Sequence, residues 1–128
     1  MSNILVVEDE ANVRKLVAVN LISRGYTVVE AKTAQQALEQ FDLQPFDLIV
    51  LDIKLPDFTG WDLLAKIAAD TTINFNGPVL VMTASLMDAQ VDLERYPMVV
   101  EVLIKPFSAV RLVGAVARAL RTTLSRQA

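Results

Sequence analysis

Short apolar runs alternate with longer amphipathic stretches along almost the whole chain. Five runs rich in Val, Ile and Leu have the length and composition of buried strands. These runs are 3–8, 27–31, 46–52, 77–84 and 99–105. Each is followed by a stretch with apolar residues near helical spacing, and these stretches are 10–25, 33–44, about 60–70, 85–96 and 108–124. The pattern predicts five strand–helix units, (βα)5.

Helix-bounding residues fall at the ends of several predicted helices. Gly25 ends the first helix, Thr33 can cap the second, and Pro45 lies just beyond the second. The fourth is less regular, because Pro97 interrupts the chain before the fifth strand. On the first helix the residues near helical spacing are Val13, Leu16, Val17, Leu21 and Ile22, with Val19 less well placed. The last helix is amphipathic, and its apolar stripe, expected to face the core, is Val110, Val113, Val116, Ala117 and Leu120.

Strands that are apolar on both faces and separated by helices predict an α/β fold with a doubly wound parallel sheet. Helices then cover both faces, and right-handed crossovers join the strands. A chain of 128 residues fits one domain, 1–128, with no room for a second. Only "SRQA" follows the last helix, so no output domain is expected within this sequence, and it is either a stand-alone protein or part of a longer one.

Composition excludes several kinds of chemistry. The net charge of -3 is mild and the basic residues are scattered, so no nucleic-acid contact is expected from this domain alone. The chain has no Cys and no His, which excludes disulfides, thiolate sites and imidazole bases. The N-terminal segment lacks the pattern of a signal peptide, and no stretch is apolar enough to span a membrane. A cytoplasmic location is therefore expected.

Polar residues stand at the ends of four predicted strands. The first strand ends in Glu8-Asp9, and Asp52, Thr83 and Lys105 stand at the ends of the third, fourth and fifth. The carboxyl ends of parallel strands form the binding crevice of such folds, so these side chains are expected to meet. Clustered carboxylates repel one another unless a cation is present, and oxygen ligands with room for water suit Mg²⁺. A carboxylate neutralised in this way can attack phosphorus.

At these residues the sequence resembles the receiver domains of two-component response regulators, the flavodoxin-like group that includes the chemotaxis regulator. The resemblance covers essentially the whole chain and implies the strand order 2-1-3-4-5. Glu8-Asp9 resembles the acidic pair of the family, and "LDIKLPDFTG" resembles its phospho-acceptor segment. "VMTA" and "IKPF" supply the matching threonine and lysine. Each motif is weak alone, but all of them in order form a specific signal.

The resemblance implies a role for each matching residue. Asp52 would accept a phosphoryl group, and Thr83 and Lys105 would contact it. The metal, Mg²⁺ or Mn²⁺, would be held by Asp9, Asp52 and the backbone carbonyl of Lys54, with Glu8 acting through water. The family also implies a cis peptide bond between Lys105 and Pro106.

The implied function is signalling rather than enzymatic turnover. The phosphoryl donor would be a separate sensor histidine kinase or a phosphotransfer protein, because this chain has no histidine of its own. Phosphorylation would change the conformation and regulate an unknown downstream protein or a missing output domain. The resemblance also allows a dimer that forms on phosphorylation.

Two alternatives remain open from sequence. An isolated strand-end Asp such as Asp9 is often a turn former or a helix cap. Separately, the chain could be a pseudo-receiver, a binding module with this fold and no phosphorylation, although such modules usually lack one of the acidic or lysine positions and here none is missing. A haloacid-dehalogenase-like phosphotransferase is disfavoured, because those enzymes have a second Asp two residues after the nucleophile and here that residue is Lys54.

One position departs from the family pattern. Many receivers have an aromatic residue three positions before the lysine, where this chain has Val102. Valine is too small and too restricted in χ1 to act as a ring that turns inward. The fourth helix and its flanking loops, within 84–98, are therefore the expected switching element.

Overall fold

The computed structural model describes residues 2–87 and 93–127, with the side chains of the last helix described up to residue 121. The strands are β1 (Asn3–Val7), β2 (Thr27–Ala31), β3 (Leu48–Asp52), β4 (Val79–Thr83) and β5 (Val99–Ile104). All pair in parallel, in the order β2-β1-β3-β4-β5. The predicted flavodoxin-like sheet and its strand order are confirmed.

Helices connect the strands on both faces of the sheet. They are α1 (Ala11–Ile22), α2 (Ala34–Gln40), α3 (Gly60–Ala69) and the last helix (Ala109–Gln127). Residues 88–92, in the middle of the predicted fourth helix 85–96, lie outside the described residues. The described part of that segment contains a short 3₁₀ turn at Leu93–Arg95.

Alternating strand residues build one apolar layer on each face of the sheet. Leu5 and Leu51 pack with α2 and α3, whereas Ile4 and Val50 pack with α1 and the last helix. Every residue of β3 is buried, because its neighbours β1 and β4 cover both edges and helices cover both faces. Burying each such aliphatic side chain contributes about 1.5–3 kcal/mol. Asp52, the last residue of β3, is therefore held by a strand that is buried along its whole length.

The packed faces of two helices differ from the apolar patterns in the sequence. On α1, Leu16, Val19 and Ile22 are exposed, and the buried stripe is Arg14, Val17, Ala18 and Leu21. On the last helix the expectation is wrong for Val110, which is 81% exposed. The residues of the last helix that are buried are Leu112, Ala115, Val116 and Ala119.

No helix among the described residues combines the length and the apolar character that crossing a bilayer requires.

Gly60 begins α3 where the backbone passes close to the end of β3. A Cβ at this position would lie 2.7 Å from the carbonyl oxygen of Asp52 and 3.0 Å from the Cα of Ile53. Thr59 caps the helix through a capping box with Asp62, which holds the first turn in place. The close approach is therefore fixed by backbone on both sides.

We expect Gly60→Ala to lower the free energy of unfolding by about 1–3 kcal/mol, because neither backbone can move away from the new methyl group. The matched control is Gly114→Ala, in the last helix. Its Cβ would meet only the guanidinium end of Arg118, at 3.2 Å. This control should raise stability by roughly 0.5–1 kcal/mol, since alanine is the better helix former. Urea denaturation measures both, and equal effects would contradict the argument.

Candidate functional site

Three carboxylates converge where β1 and β3 end. Val7 and Leu51 are paired in register, so the next residues, Glu8 and Asp52, stand side by side. One carboxylate oxygen each from Glu8, Asp9 and Asp52 can be chosen so that all lie within 4.8 Å of one another. Glu8 and Asp52 are buried, whereas Asp9 is exposed. This set of hard oxygen ligands, open to water on one side, fits a divalent cation such as Mg²⁺.

Lys105 crosses from the end of β5 to the same cluster. Its Nζ lies 2.8 Å from Oδ2 of Asp52 and donates a second hydrogen bond to Oε1 of Glu8. Burial lowers the pKa of Lys105, but the hydrogen bonds and charges of Asp52 and Glu8 outweigh it, so this pKa lies above its ordinary value. The ammonium therefore stays charged between two carboxylates.

The peptide bond between Lys105 and Pro106 is cis, as the resemblance implies. The backbone N–H of Lys105 donates to the carbonyl oxygen of Thr83 at 2.8 Å, which continues the β4–β5 ladder to the site.

Thr83 ends β4 beside the end of β5, and Lys54 follows Asp52 in the loop after β3. The hydroxyl of Thr83 is buried and bonds to its own turn: it accepts from the N–H of Ser85 and donates to the carbonyl of Ser85, both at 3.1 Å. The N–H of Lys54 donates to Oδ1 of Asp52 at 3.0 Å. The structure thus brings together the six residues singled out in the sequence, which are Glu8, Asp9, Asp52, Lys54, Thr83 and Lys105.

Arg14 is a further residue at this site, and the sequence analysis missed it. Its guanidinium is buried beneath the acidic pair, and Nη1 donates to the carbonyl oxygens of Glu8 at 2.9 Å and Asp9 at 3.4 Å. Its Nε also pairs with Glu30 at 3.2 Å. The signal was present: Arg14 shares a helical stripe with Val17 and the other buried residues of α1. A charged residue in such a stripe needs polar partners.

The charge of the site is only partly balanced. Burial, and next to it the neighbouring Asp52, raise the pKa of Glu8 to about 7, although Lys105 acts in the opposite direction. One ammonium faces two buried carboxylates, so the second negative charge lacks a cation of its own among the described side chains. A proton on Glu8 supplies the missing balance.

This shift predicts how the stability of the metal-free protein depends on pH. The pKa of Glu8 is higher in the folded state than its usual 4.5, so protonated Glu8 stabilises the folded protein relative to ionised Glu8. This contribution is fully present below pH 4.5 and is lost as the pH rises through about 7. In EDTA, the free energy of unfolding of Glu8→Gln relative to wild type should therefore rise over this interval, by at most about 3 kcal/mol. Urea denaturation across the interval measures it, with the exposed Glu39→Gln as control. Parallel curves for Glu8→Gln and wild type would contradict the assignment.

Comparison with known proteins places this site in a family. The model of the response regulator receiver domain matches residues 4–117. Response regulator RR06 of Streptococcus pneumoniae serotype 2 is 35% identical over 120 residues, which covers 93% of this chain and 53% of that protein. The probable transcriptional regulator ycf27 of Cyanidium caldarium is 31% identical over 128 residues, covering 98% of this chain and 49% of that protein. The chain spans about half the length of the curated relatives it matches.

Solved structures agree with this relationship. Response regulator protein TrrA of Thermotoga maritima, in complex with Mg(2+)-BeF, has a TM-score of 0.79 and 29% identity, covering 94% of this chain and 100% of that chain. Chemotaxis response regulator CheY4 of Vibrio cholerae has a TM-score of 0.79 and 26% identity, covering 94% and 99%.

The fold, the acidic cluster and these relatives lead to one conclusion. Receiver domains are signalling domains of two-component systems, partnered by histidine kinases, rather than true enzymes. The resemblance found in the sequence is confirmed: this chain belongs to the response regulator receiver domain family.

Proposed function

We propose that this chain accepts a phosphoryl group on Asp52 from a phosphohistidine of a sensor kinase or a phosphotransfer protein. The observation that carries the proposal is the pairing of Asp52 with Lys105 Nζ at 2.8 Å, beside the carboxylates of Glu8 and Asp9. This arrangement joins a nucleophilic carboxylate, a fixed positive charge and a cation site in one crevice.

The proposed reaction is a phosphoryl transfer to a carboxylate oxygen. An oxygen of Asp52 bonds to phosphorus as the bond from phosphorus to the histidine nitrogen breaks, and the electron pair of that bond stays on the nitrogen. Lys105 then pairs with an oxygen of the phosphoryl group. The Thr83 hydroxyl exchanges its bond to Ser85 for one to another phosphoryl oxygen.

The proposed metal is Mg²⁺, or Mn²⁺ in its place. Asp9, Asp52 and the backbone carbonyl of Lys54 would hold it, and Glu8 would contact it through water. When bound, the ion neutralises charge on the carboxylates and on the transferred group. Asp9 suits this role because its exposed carboxylate lies at the open side of the cluster.

The proposed output is a conformational change read by a protein. Val102 is partly buried against the same apolar cluster as Trp61 and Tyr96, whose rings stack at 5.3 Å with an interplanar angle of 19°. If the Thr83 hydroxyl moves toward a phosphoryl group, it loses its two hydrogen bonds to Ser85, at the start of segment 84–98. The conformation of segment 84–98 would then change, so this segment is the proposed switch. The chain would act as one receiver domain, 1–128, in the cytoplasm, on a separate protein or on a further domain of a longer chain.

Asp52→Asn should abolish phosphate incorporation while the protein stays folded. Incubation with Mg²⁺ and a small phosphodonor, followed by intact mass, measures the incorporation. The control Asp70→Asn removes a remote exposed carboxylate and should be phosphorylated like wild type. One stable phosphate on wild type supports the proposal, turnover of the donor favours a phosphotransferase, and an unchanged mass favours a pseudo-receiver. Full labelling of Asp52→Asn would move the acceptor elsewhere.

Asp9→Ala should weaken Mg²⁺ binding by on the order of 10-fold or more and slow phosphorylation in parallel, because one ion serves both processes. Trp61 is the only tryptophan and follows Gly60, which packs on the backbone of Asp52, so its fluorescence should report the ion. Calorimetric titration provides a second measurement. Identical Mg²⁺ titrations of wild type and Asp9→Ala would count against the metal site.

A further inference from the structure

Asp57 joins the loop after β3 to the beginning of α2. It lies five residues beyond Asp52 in sequence, and its two carboxylate oxygens accept different backbone N–H groups. Oδ1 accepts from Ala34 and Oδ2 accepts from Gln35, both at 3.0 Å. Burial raises the pKa of Asp57, but the hydrogen bonds from Ala34 and Gln35 and from the nearby backbone outweigh it and hold the pKa below its ordinary value. The carboxylate is therefore ionised and bidentate at neutral pH.

Helix α2 depends on this carboxylate to satisfy its first turn. The side chain of Thr33 accepts only the N–H of Gln36, at 3.0 Å. The two N–H groups before it are satisfied by Asp57, which belongs to another connection of the fold. The first turn of α2 contains no acidic residue of its own. The negative charge at this helix N-terminus thus comes from the loop after β3, residues 54–59.

The same loop is fixed at its base by backbone contacts. Lys54 and Thr59 form an antiparallel bridge, and the N–H of Gly60 donates to the carbonyl of Ile53 at 2.7 Å. These contacts close the loop, and Leu55 and Phe58 pack against the apolar cluster beneath it, whereas Asp57 is exposed. The bidentate contact of Asp57 is a polar connection between this loop and α2, in addition to that apolar packing.

We propose that Asp57 is a positioning residue for the backbone of Lys54 in the proposed metal site beside Asp52. By tying loop 54–59 to α2, it holds the Lys54 backbone beside the acceptor carboxylate, where the N–H of Lys54 already bonds to Oδ1 of Asp52. The inference rests on the proposed function, in which the Lys54 carbonyl is a metal ligand. Asp57 itself is exposed and acts through the loop.

The decisive comparison is between Asp57→Ala and Thr33→Ala. Both remove a side-chain cap from the first turn of α2, at a cost of typically about 1 kcal/mol for such caps. Only Asp57→Ala also removes the hydrogen bonds between loop 54–59 and α2. Asp57→Asn, which keeps one acceptor oxygen, should give an intermediate effect and provides a second variant if Asp57→Ala folds poorly.

Metal-free hydrogen exchange is the first measurement. Asp57→Ala should accelerate exchange of the backbone amides in 54–60, whereas Thr33→Ala should change exchange only in α2. In a Mg²⁺ titration, Asp57→Ala should raise the dissociation constant by about 10-fold, the scale typical of residues that orient metal ligands. The phosphorylation rate at saturating Mg²⁺ should stay close to wild type, because Asp57 does not touch the reacting atoms.

Two results would overturn the inference: unchanged exchange and Mg²⁺ affinity in Asp57→Ala, or equal weakening by Thr33→Ala. The proposed function fails separately, if wild type itself takes no phosphate on Asp52. The metal-free exchange experiment still tests the role of Asp57 in that case.

Discussion

The site depends on one ammonium placed between two buried carboxylates. Lys105 Nζ bonds to both Asp52 and Glu8, although the three residues are far apart in the sequence. Removing such charges from water costs several kcal/mol each, and only close mutual pairing offsets that cost. Two negative charges still face one positive charge, which leaves the cluster poised to bind a proton or a divalent cation. The imbalance, rather than the pairing alone, makes this a candidate metal and phosphoryl site.

The apolar core around the sheet offsets the free-energy cost of burying the charged cluster. β3 is buried along its whole length, and its neighbours β1 and β4 hold it in register on both edges. Burial of the aliphatic side chains in the two apolar layers stabilises the folded state, whereas burial of the charged cluster destabilises it. Because the strands are parallel, their carboxyl ends share one edge of the sheet, and the charges meet there beside water.

Backbone groups at the site are oriented by charged side chains from outside the core cluster. Arg14 bonds the carbonyl oxygens of Glu8 and Asp9 from beneath. Asp57 holds the loop that carries Lys54 against α2. One of these side chains thus bonds the main chain of the acidic pair, and the other connects the loop after Asp52 to α2. Hydrogen bonds of this kind hold main-chain groups of a site in a fixed orientation.

The sequence by itself predicted the order of the strands, because a short run such as 48–51, apolar at every position, is typical of a strand covered on both faces. It also predicted that the polar residues at the strand ends meet at one edge of the sheet. The resemblance to receiver domains, rather than the apolar pattern, supplied the strand order 2-1-3-4-5. Tertiary structure alone decided which helix residues face the sheet, and it left Val110 exposed. It also buried Arg14, because a buried charge needs partners, here Glu30 and the Glu8 carbonyl, that only the fold brings near. It also decided the contact of Asp57 with α2. A turn aspartate has no periodicity, so only the packing of two connections reveals which N–H groups it meets.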